Sequence, residues 1–400
     1  MLRDFRRRFW QPPRAHGDVV EDRTVSFLEL FHDLVYVVVI AAAASTVAHD
    51  ITPRSVAEFG VVFGLIWLAW INGTFLHDLH GRNDVRTRFY TFAQMLLIVL
   101  LAVYVGDAAG DGGQGFALVY SAYLALLTWL WYTVRRRDDE RFMDITRQWL
   151  IAMVVSFAVV LGSTLLAPEW RMVVWALLVV MWLATMIWLG SSTEMLEEEG
   201  MLSSSDSLIE RFGLFVIIVL GEVVVGVVDG LSNAERDAET IATGVFALII
   251  GFGLWWNYFD LTARRLPRAD PGGSPIWLTA HFPLTLSIGA AGAAMVSLIL
   301  SATDDRAPAA TAWLLAGSVA LGLVSLAVIV RTLQDYDRLI TVYRPTSILM
   351  LVAAGVALLI GAWRPAPIVL VVTLGAIYFV VWIFAVSRWL GTEEAAAELD

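Results

Sequence analysis

The sequence predicts an all-α polytopic membrane protein with about twelve transmembrane helices arranged as two parallel six-helix repeats. Of its 400 residues, 58% are hydrophobic and 16% are charged, and the mean hydropathy is +0.70. This composition excludes a soluble globular domain, in which about 25% of residues are charged. Apolar segments recur along the whole chain, and a polar motif in the first of them returns near the middle.

The apolar segments match the length of about 20 residues that a helix needs to cross a bilayer. Their predicted limits are 26–48, 57–77, 89–107, 115–135, 148–167, 171–192, 207–229, 239–260, 275–301, 309–331, 345–362 and 366–390. The corresponding domains are a basic cytoplasmic tail (1–25), a first six-helix repeat (26–192), an acidic linker (193–206), a second six-helix repeat (207–390) and a cytoplasmic tail (391–400).

The distribution of arginine predicts the orientation. All 27 basic residues are Arg; with the N-terminus inside, 22 of them fall in cytoplasmic segments and the remaining 5 on the opposite side. Because basic residues concentrate on the cytoplasmic side of membrane proteins, this distribution predicts a cell-membrane protein with both termini in the cytoplasm. The chain has no Cys and no Lys, which excludes disulfides, thiolate chemistry and Schiff-base lysine chemistry.

The internal repeat is indicated by matching polar motifs. Aligning Glu210 with Glu29 also aligns Ser207 with Ser26. Further matches along the two halves pair Trp70 with Trp255, Asn72 with Asn257, and Gln94 with His281. Because each half contains an even number of spans, both enter the membrane from the same side and the repeat is parallel.

The first span carries Glu29, His32 and Asp33, which a helix places on one face. Ionisable groups within a span are costly and usually face protein or water, so this face is a candidate functional site. Other polar residues join it in the cytoplasmic half of the membrane, and Glu222 lies near its middle. The candidate ion or solute pathway is therefore Glu29, His32, Asp33, Asn72, His77, Asp78, Gln94, Glu210, Glu222, Asn257, Asp260 and His281. We expect these residues to line a polar cavity open to the cytoplasm.

Structural interpretations of the same residues remain open. Glu29 and Asp33 could form interfacial ion pairs with arginines of the next loop, namely Arg82, Arg86 or Arg88. His77 and His80 end a helix, where a capping or headgroup role is expected. His281 could be a hydrogen-bonded packing residue. Tryptophans near predicted span ends are expected in the interfacial aromatic belt: Trp67, Trp70, Trp170, Trp363 and Trp389.

Three segments resemble the bacterial low temperature requirement A family. They are LELFHDLV at 28–35, HDLHGRNDVRTR at 77–88 followed by Gln94 and Met95, and ERFGLFVIIVLGE at 210–222. The resemblance implies membership of this family, but it does not imply any particular molecular activity. Phe31-His32-Asp33 is also similar to the Phe-Ser-Asp signature of six-helix lysosomal and bacterial potassium channels, whereas the second half has no acid at the matching place.

The leading functional hypothesis is a transporter or channel for an ion or small solute. An alternative is a membrane-embedded enzyme acting on a lipid or apolar small molecule, with His32, Asp33, His77, Asp78 and His80 as metal ligands or acid-base groups. A non-catalytic scaffold or sensor is the third. We predict no cofactor, no resident metal and no nucleic-acid partner, since phosphate-binding loops and nucleic-acid modules are missing from the sequence. The expected partners are the lipid bilayer and an unidentified ion or solute, and the sequence makes no prediction of oligomeric state.

Overall fold

The computed structural model describes residues 9–16, 25–192, 205–263, 265–270 and 273–392. Twelve long helices account for nearly all of this part of the chain: α1 Phe27–His49, α2 Pro53–His80, α3 Val85–Val105, α4 Gly113–Arg135, α5 Met143–Ser163, α6 Pro168–Ser192, α7 Asp206–Asn233, α8 Ala238–Leu261, α9 Ser274–Leu300, α10 Ala309–Arg331, α11 Ile340–Trp363 and α12 Pro367–Trp389. All twelve are long and apolar enough to span a membrane, which confirms the predicted class of multi-pass helical protein.

The predicted span limits agree with the helices to within five residues, and the largest shifts are at the starts of α5 and α11. Helix α5 begins at Met143 and helix α11 at Ile340, whereas the sequence placed these starts at 148 and 345. Pro345 instead lies inside the helix. The predicted tails and acidic linker fall mostly on residues 1–8, 17–24, 193–204 and 393–400, outside the described residues.

The chain forms two compact units. Unit 1 comprises Met1–Ala43, Ala57–Trp188 and Thr193–Leu214, and unit 2 comprises Ala44–Val56, Leu189–Ser192 and Phe215–Asp400. The division into two parallel repeats stays a prediction, although one local feature recurs in both units. Asn72 Nδ2 donates to the carbonyl of Leu68, and Asn257 Nδ2 donates to the carbonyl of Gly253, each at 2.8 Å.

Unit 1 is organised around α2, the most buried of its spans: 83% of its most apolar stretch is buried inside the protein. Phe63, Trp67 and Trp70 on this helix are completely buried. Helix α4 packs against both α3 and α5. The central helix therefore offers its side chains to the interior of this unit.

The core of unit 2 lies on α9 and α10, whose most apolar stretches are 78% and 72% buried. Helix α10 packs against α9 and α11, and α12 packs against α8 and α11. Helices α7 and α9 approach at Gly226 and Gly292, where a Cβ built on either glycine would collide with backbone of the other helix. Small residues at a crossing let two membrane helices pack backbone to backbone.

Candidate functional site

The centre of the candidate site in unit 1 is an ion pair between Asp33 and Arg211. Arg211 Nη2 donates to Asp33 Oδ1 at 2.6 Å, and Nε donates to Oδ2 at 3.1 Å. Trp70 Nε1 donates to Oδ1 at 3.0 Å. Because a bidentate pair with a further donor satisfies most of the carboxylate lone pairs, the buried charges of both side chains are compensated within the bundle.

This pairing corrects two expectations. Asp33 does not pair with Arg82, Arg86 or Arg88; its arginine comes from α7, because α7 and not the neighbouring loop brings a guanidinium to this depth of the bundle. Trp70 does not belong to an interfacial belt. It is fully buried, holds Asp33, and packs edge to face on Phe212 at a centroid distance of 5.0 Å. Trp67 is likewise buried, because α2 is the central helix of the unit.

A second cluster lies beside this pair. His32 Nδ1 is 3.4 Å from Asp33 Oδ1, and the His32 ring is fully buried. Gln94 on α3 is also fully buried, and neither end of its amide has a hydrogen-bond partner among the residues described. On α4, Tyr123 Oη lies 3.2 Å from Tyr36 Oη. Buried polar groups without partners are unusual in folded proteins.

His77 connects this cluster to a surface cavity. The His77 and His32 rings meet edge to face with centroids 5.4 Å apart, and His77 Nε2 lies 3.0 Å from Thr91 Oγ1. His77 and Thr91 also line a cavity of about 990 Å³, together with Glu29, Arg82 and other residues of unit 1. Polar side chains thus extend from the cavity into the interior of the unit.

The histidines at the end of α2 are inside the protein. His77 and His80 are 5% and 2% exposed, and His80 Nδ1 lies 3.0 Å from the carbonyl oxygen of Arg14. A role facing lipid headgroups is therefore wrong for both. The physical reason is that the chain near Arg14 covers this end of α2.

Glu29 and Asp78 serve helix ends. Ser26 N and Oγ both donate to Glu29 Oε2 at 2.9 Å, while Glu29 N donates back to Ser26 Oγ at 3.3 Å, forming a capping box at the start of α1. Asp78 accepts hydrogen bonds from Ser205 and Ser207 at the start of α7. A carboxylate at a helix N-terminus is favoured by the helix dipole.

Polar contacts fasten the segment 9–16 to the rest of unit 1, and we call this segment with its contacts the N-terminal clamp. Arg14 Nη2 donates to the carbonyl of Asp78 at 2.7 Å, and His16 Nδ1 donates to Asp138 Oδ1 at 2.9 Å. Burial by itself raises the pKa of Asp138, but hydrogen bonds from His16 and Thr146 outweigh burial and hold that pKa below its ordinary value. The contribution of the Asp138 carboxylate to the clamp is therefore fully present above the ordinary pKa of an aspartate and is lost as the pH falls through the lowered pKa.

Replacing Asp138 by asparagine is expected to loosen the N-terminal clamp. Loss of a hydrogen bond to a charged group costs about 1–3 kcal/mol, which corresponds to a roughly 5- to 150-fold increase in local opening. Hydrogen exchange of the amides in 9–16 measures this increase, and Asp144→Asn, at an exposed position nearby, serves as the control. Unchanged exchange in Asp138→Asn would show that the clamp is held by other contacts.

The structure places the remaining candidates differently. Glu210 of unit 1 is exposed; Asp260 of unit 2 is exposed too and accepts a hydrogen bond from Trp382 Nε1 at 2.6 Å. Neither lines the interior of its unit. The expectation that candidates from both halves share one cavity stays a prediction.

Unit 2 buries three of its candidates. Glu222 is 4% exposed, and its Oε1 has no hydrogen-bond partner in the described part of the chain. Asn257 Nδ2 donates to the carbonyl of Tyr378 at 3.0 Å. His281 has both ring nitrogens occupied, with Nδ1 2.7 Å from the carbonyl of Trp277 and Nε2 3.1 Å from Tyr258 Oη. His281 is thus held as the packing interpretation expects.

The histidines and acids proposed as metal ligands do not form a metal centre. Within the described ranges, no group of three or more His, Asp and Glu side chains is arranged to hold a metal ion. The ion pair with Arg211 also occupies Asp33, the most central acid of that set. The metal-dependent form of the enzyme hypothesis therefore has no assembled site in these residues.

Sequence reasoning missed the two tyrosines of the buried cluster. Tyr36 lies four positions after His32, a spacing that places both on one face of α1, so this signal was available. Tyr123 gave no local signal, since it is one of several aromatic residues in an apolar helix. Arg211 lies in the motif at 210–222, but the sequence did not identify its partner.

Comparisons with known proteins identify one family and one relative. The model of the family described as bacterial low temperature requirement A protein matches residues 24–377. An uncharacterized protein of Rhizobium meliloti (strain 1021) is 29% identical over 277 residues, covering 65% of this chain and 66% of that relative. The chain thus aligns with slightly less than two thirds of the relative's length. No solved structure gives a significant match.

Proposed function

The chain belongs to the bacterial low temperature requirement A family, and from this premise we propose that it is a transporter or channel for an ion or small solute. One observation carries the proposal: within unit 1, buried polar side chains continue from the cavity through His77 to His32 and Gln94. Uncompensated polar groups inside a membrane protein are costly and mark substrate or ion pathways.

The arginine distribution supports a cytoplasmic opening for the cavity. Arg82 and Arg88 line the cavity and belong to the predicted cytoplasmic loop before α3. Because positive residues mark the cytoplasmic side, the cavity would be filled from inside the cell. Both termini and the N-terminal clamp would lie on the same side of the cell membrane.

The candidate residues divide into roles under this proposal. Asp33 and Arg211 hold the neighbouring polar side chains in place, because each neutralises the charge of the other. His32, His77 and Gln94 present hydrogen-bonding groups to a passing ion or solute. Within unit 2, Glu222 is proposed as a buried carboxylate that takes a proton or counters a cation, since its Oε1 has no partner in the described residues. Glu210 and Asp260 are left out because their side chains are exposed.

Flux measurements on the purified protein in liposomes test the proposal. We expect the parent protein to move at least one ion or small solute faster than empty liposomes, and His77→Leu to lower that flux about tenfold or more by removing a polar step between cavity and interior. His49→Leu is the control, because His49 is an exposed residue whose Nδ1 lies 2.7 Å from the carbonyl oxygen of Ser45 on its own helix.

Two results would contradict the proposal. One is a parent protein that moves protons, monovalent cations, anions and small polar solutes no faster than empty liposomes. The other is an equal loss of flux in His77→Leu and His49→Leu, which would indicate a general effect of substitution instead of a pathway through unit 1.

A further inference from the structure

Three side chains from three helices converge beside Gly73 on α2. A methyl group built on Gly73 would lie 3.0 Å from Tyr123 Oη, 3.3 Å from Gln94 Oε1 and 3.7 Å from His32 Cε1. All three side chains are completely buried. The missing side chain of Gly73 lets them approach the helix backbone, so the hydroxyl of Tyr123, the amide oxygen of Gln94 and the imidazole edge of His32 lie close to one point. We call these four residues the Gly73 cluster.

The direction of the hydrogen bonds shows what His32 offers to this region. Asp33 is held ionised by its pair with Arg211, and an ionised carboxylate only accepts hydrogen bonds. His32 Nδ1, which faces Asp33 Oδ1 at 3.4 Å, must therefore carry a hydrogen. In the tautomer that carries its hydrogen on Nδ1, Nε2 is the acceptor of the ring, and that atom has no partner among the described side chains and backbone.

The tyrosines are constrained in the same way. Tyr123 Oη donates its only hydrogen to the carbonyl of Ala69 at 3.0 Å. In the 3.2 Å contact between the two hydroxyls, Tyr36 must therefore be the donor and Tyr123 the acceptor. Both phenol oxygens keep lone pairs for a further donor.

The acceptors outnumber the donors in the cluster. His32 Nε2, Gln94 Oε1 and Tyr123 Oη accept, and Tyr36 Oη beside the cluster accepts as well. The amide nitrogen of Gln94 is the one donor group of the cluster left over, and both ends of that amide are unpaired in the described part of the protein. Buried polar groups almost always have partners, so an excess of acceptors calls for a ligand that donates.

Resting on the proposed transport function, we propose that the Gly73 cluster binds a small cation that donates hydrogen bonds, namely ammonium or a hydrated proton. Hydrogen bonds from a charged donor are about twice as strong as those between neutral groups, which suits buried acceptors. An imidazole nitrogen is a poor ligand for alkali and alkaline-earth cations, which take oxygen ligands. An anion finds no free guanidinium, because Arg211 is occupied by Asp33.

Several charged or titratable groups surround His32. They are Asp33 and Tyr36 on α1, His77 on α2, Tyr123 on α4 and Arg211 on α7. The charges of Asp33 and Arg211 balance, and His77 lies on the cavity side of His32. A cation entering from the cavity would therefore pass His77 before it reaches the cluster.

The first test measures binding by the full-length protein in detergent. We expect ammonium chloride to raise the melting temperature of the parent more than rubidium chloride at equal concentration. Gln94→Leu should lose this difference while melting no lower than the parent without salt, because Gln94 makes no hydrogen bond to the described residues that the substitution could break. Equal shifts with ammonium and rubidium, combined with proton flux unaffected by Gln94→Leu, would overturn the proposal.

The second test separates the two cations in liposomes. Uptake of labelled methylammonium without proton movement identifies ammonium, and proton flux reported by an enclosed pH-sensitive dye without methylammonium uptake identifies the hydrated proton. Gln94→Leu and His32→Phe should each lower the active flux about 10- to 100-fold, the effect of losing one hydrogen bond to a charged group, whereas His49→Phe should not.

The outcomes distinguish this inference from the function on which it rests. Flux of rubidium or a neutral solute, with methylammonium and protons excluded, keeps the transport proposal and overturns the cation assignment. No flux of any solute overturns transport, and the melting experiment then decides whether the cluster binds ammonium. Flux of protons or methylammonium that is unchanged in both Gln94→Leu and His32→Phe places the pathway elsewhere and overturns the cluster.

Discussion

Arg211→Met is expected to destabilise the protein by about 3–5 kcal/mol, the cost of leaving a buried charge without its partner. Asp33 is 1% exposed, and its remaining hydrogen bonds come from Trp70 and His32, neither of which supplies the fixed positive charge of a guanidinium. The measurement is reversible unfolding in mixed micelles. Arg331→Met is the matched control, since Arg331 is exposed at the end of α10 and should change stability by no more than about 0.5 kcal/mol.

A second substitution makes the cause of this loss testable. Adding Asp33→Asn to Arg211→Met removes the uncompensated charge while keeping an acceptor for Trp70, so the double variant should recover about 1–3 kcal/mol. If Arg211→Met unfolds like Arg331→Met, or if the double variant is less stable than Arg211→Met alone, the ion pair is not the element that stabilises this part of unit 1.

Gly292→Ala is expected to destabilise unit 2 by about 1–3 kcal/mol or more, the usual cost of overpacking. A Cβ at this position would lie 2.6 Å from the carbonyl oxygen and 3.0 Å from Cβ of Glu222 on α7. These atoms belong to the body of a helix and cannot rotate away, so α7 and α9 must separate. Thermal unfolding in detergent measures the loss.

The sign of the effect distinguishes crowding from helix propensity. Gly317→Ala on α10 adds the same methyl group where no atom lies within 4 Å, and it should be neutral or stabilise by up to about 1 kcal/mol, because alanine favours a helix over glycine. Equal effects at the two positions would mean that the backbone contact between α7 and α9 does not limit side-chain size.

The polar residues show how much of a membrane protein a single sequence can predict. Their positions inside spans were predictable, because a charge in an apolar run is visible in the sequence without its partner. The partners themselves were not predictable. Asp33 and Arg211 are 178 positions apart, and the arginines nearest in sequence to the end of α2 were the reasonable expectation. Glu210 precedes Arg211 by one residue and yet is exposed, since adjacent residues on a helix point in directions about 100° apart.

The sequence by itself determined the class of protein, the number and approximate limits of the spans, the family, and the polar character of α1, because hydropathy, span length and motif spacing are local properties of the chain. Only the tertiary structure decided that Arg211 neutralises Asp33, that Trp70 is interior, and that His32, Gln94 and Tyr123 meet at Gly73. Those contacts depend on the rotation and approach of whole helices, which are set by packing along their full length and leave no mark at the residues that meet.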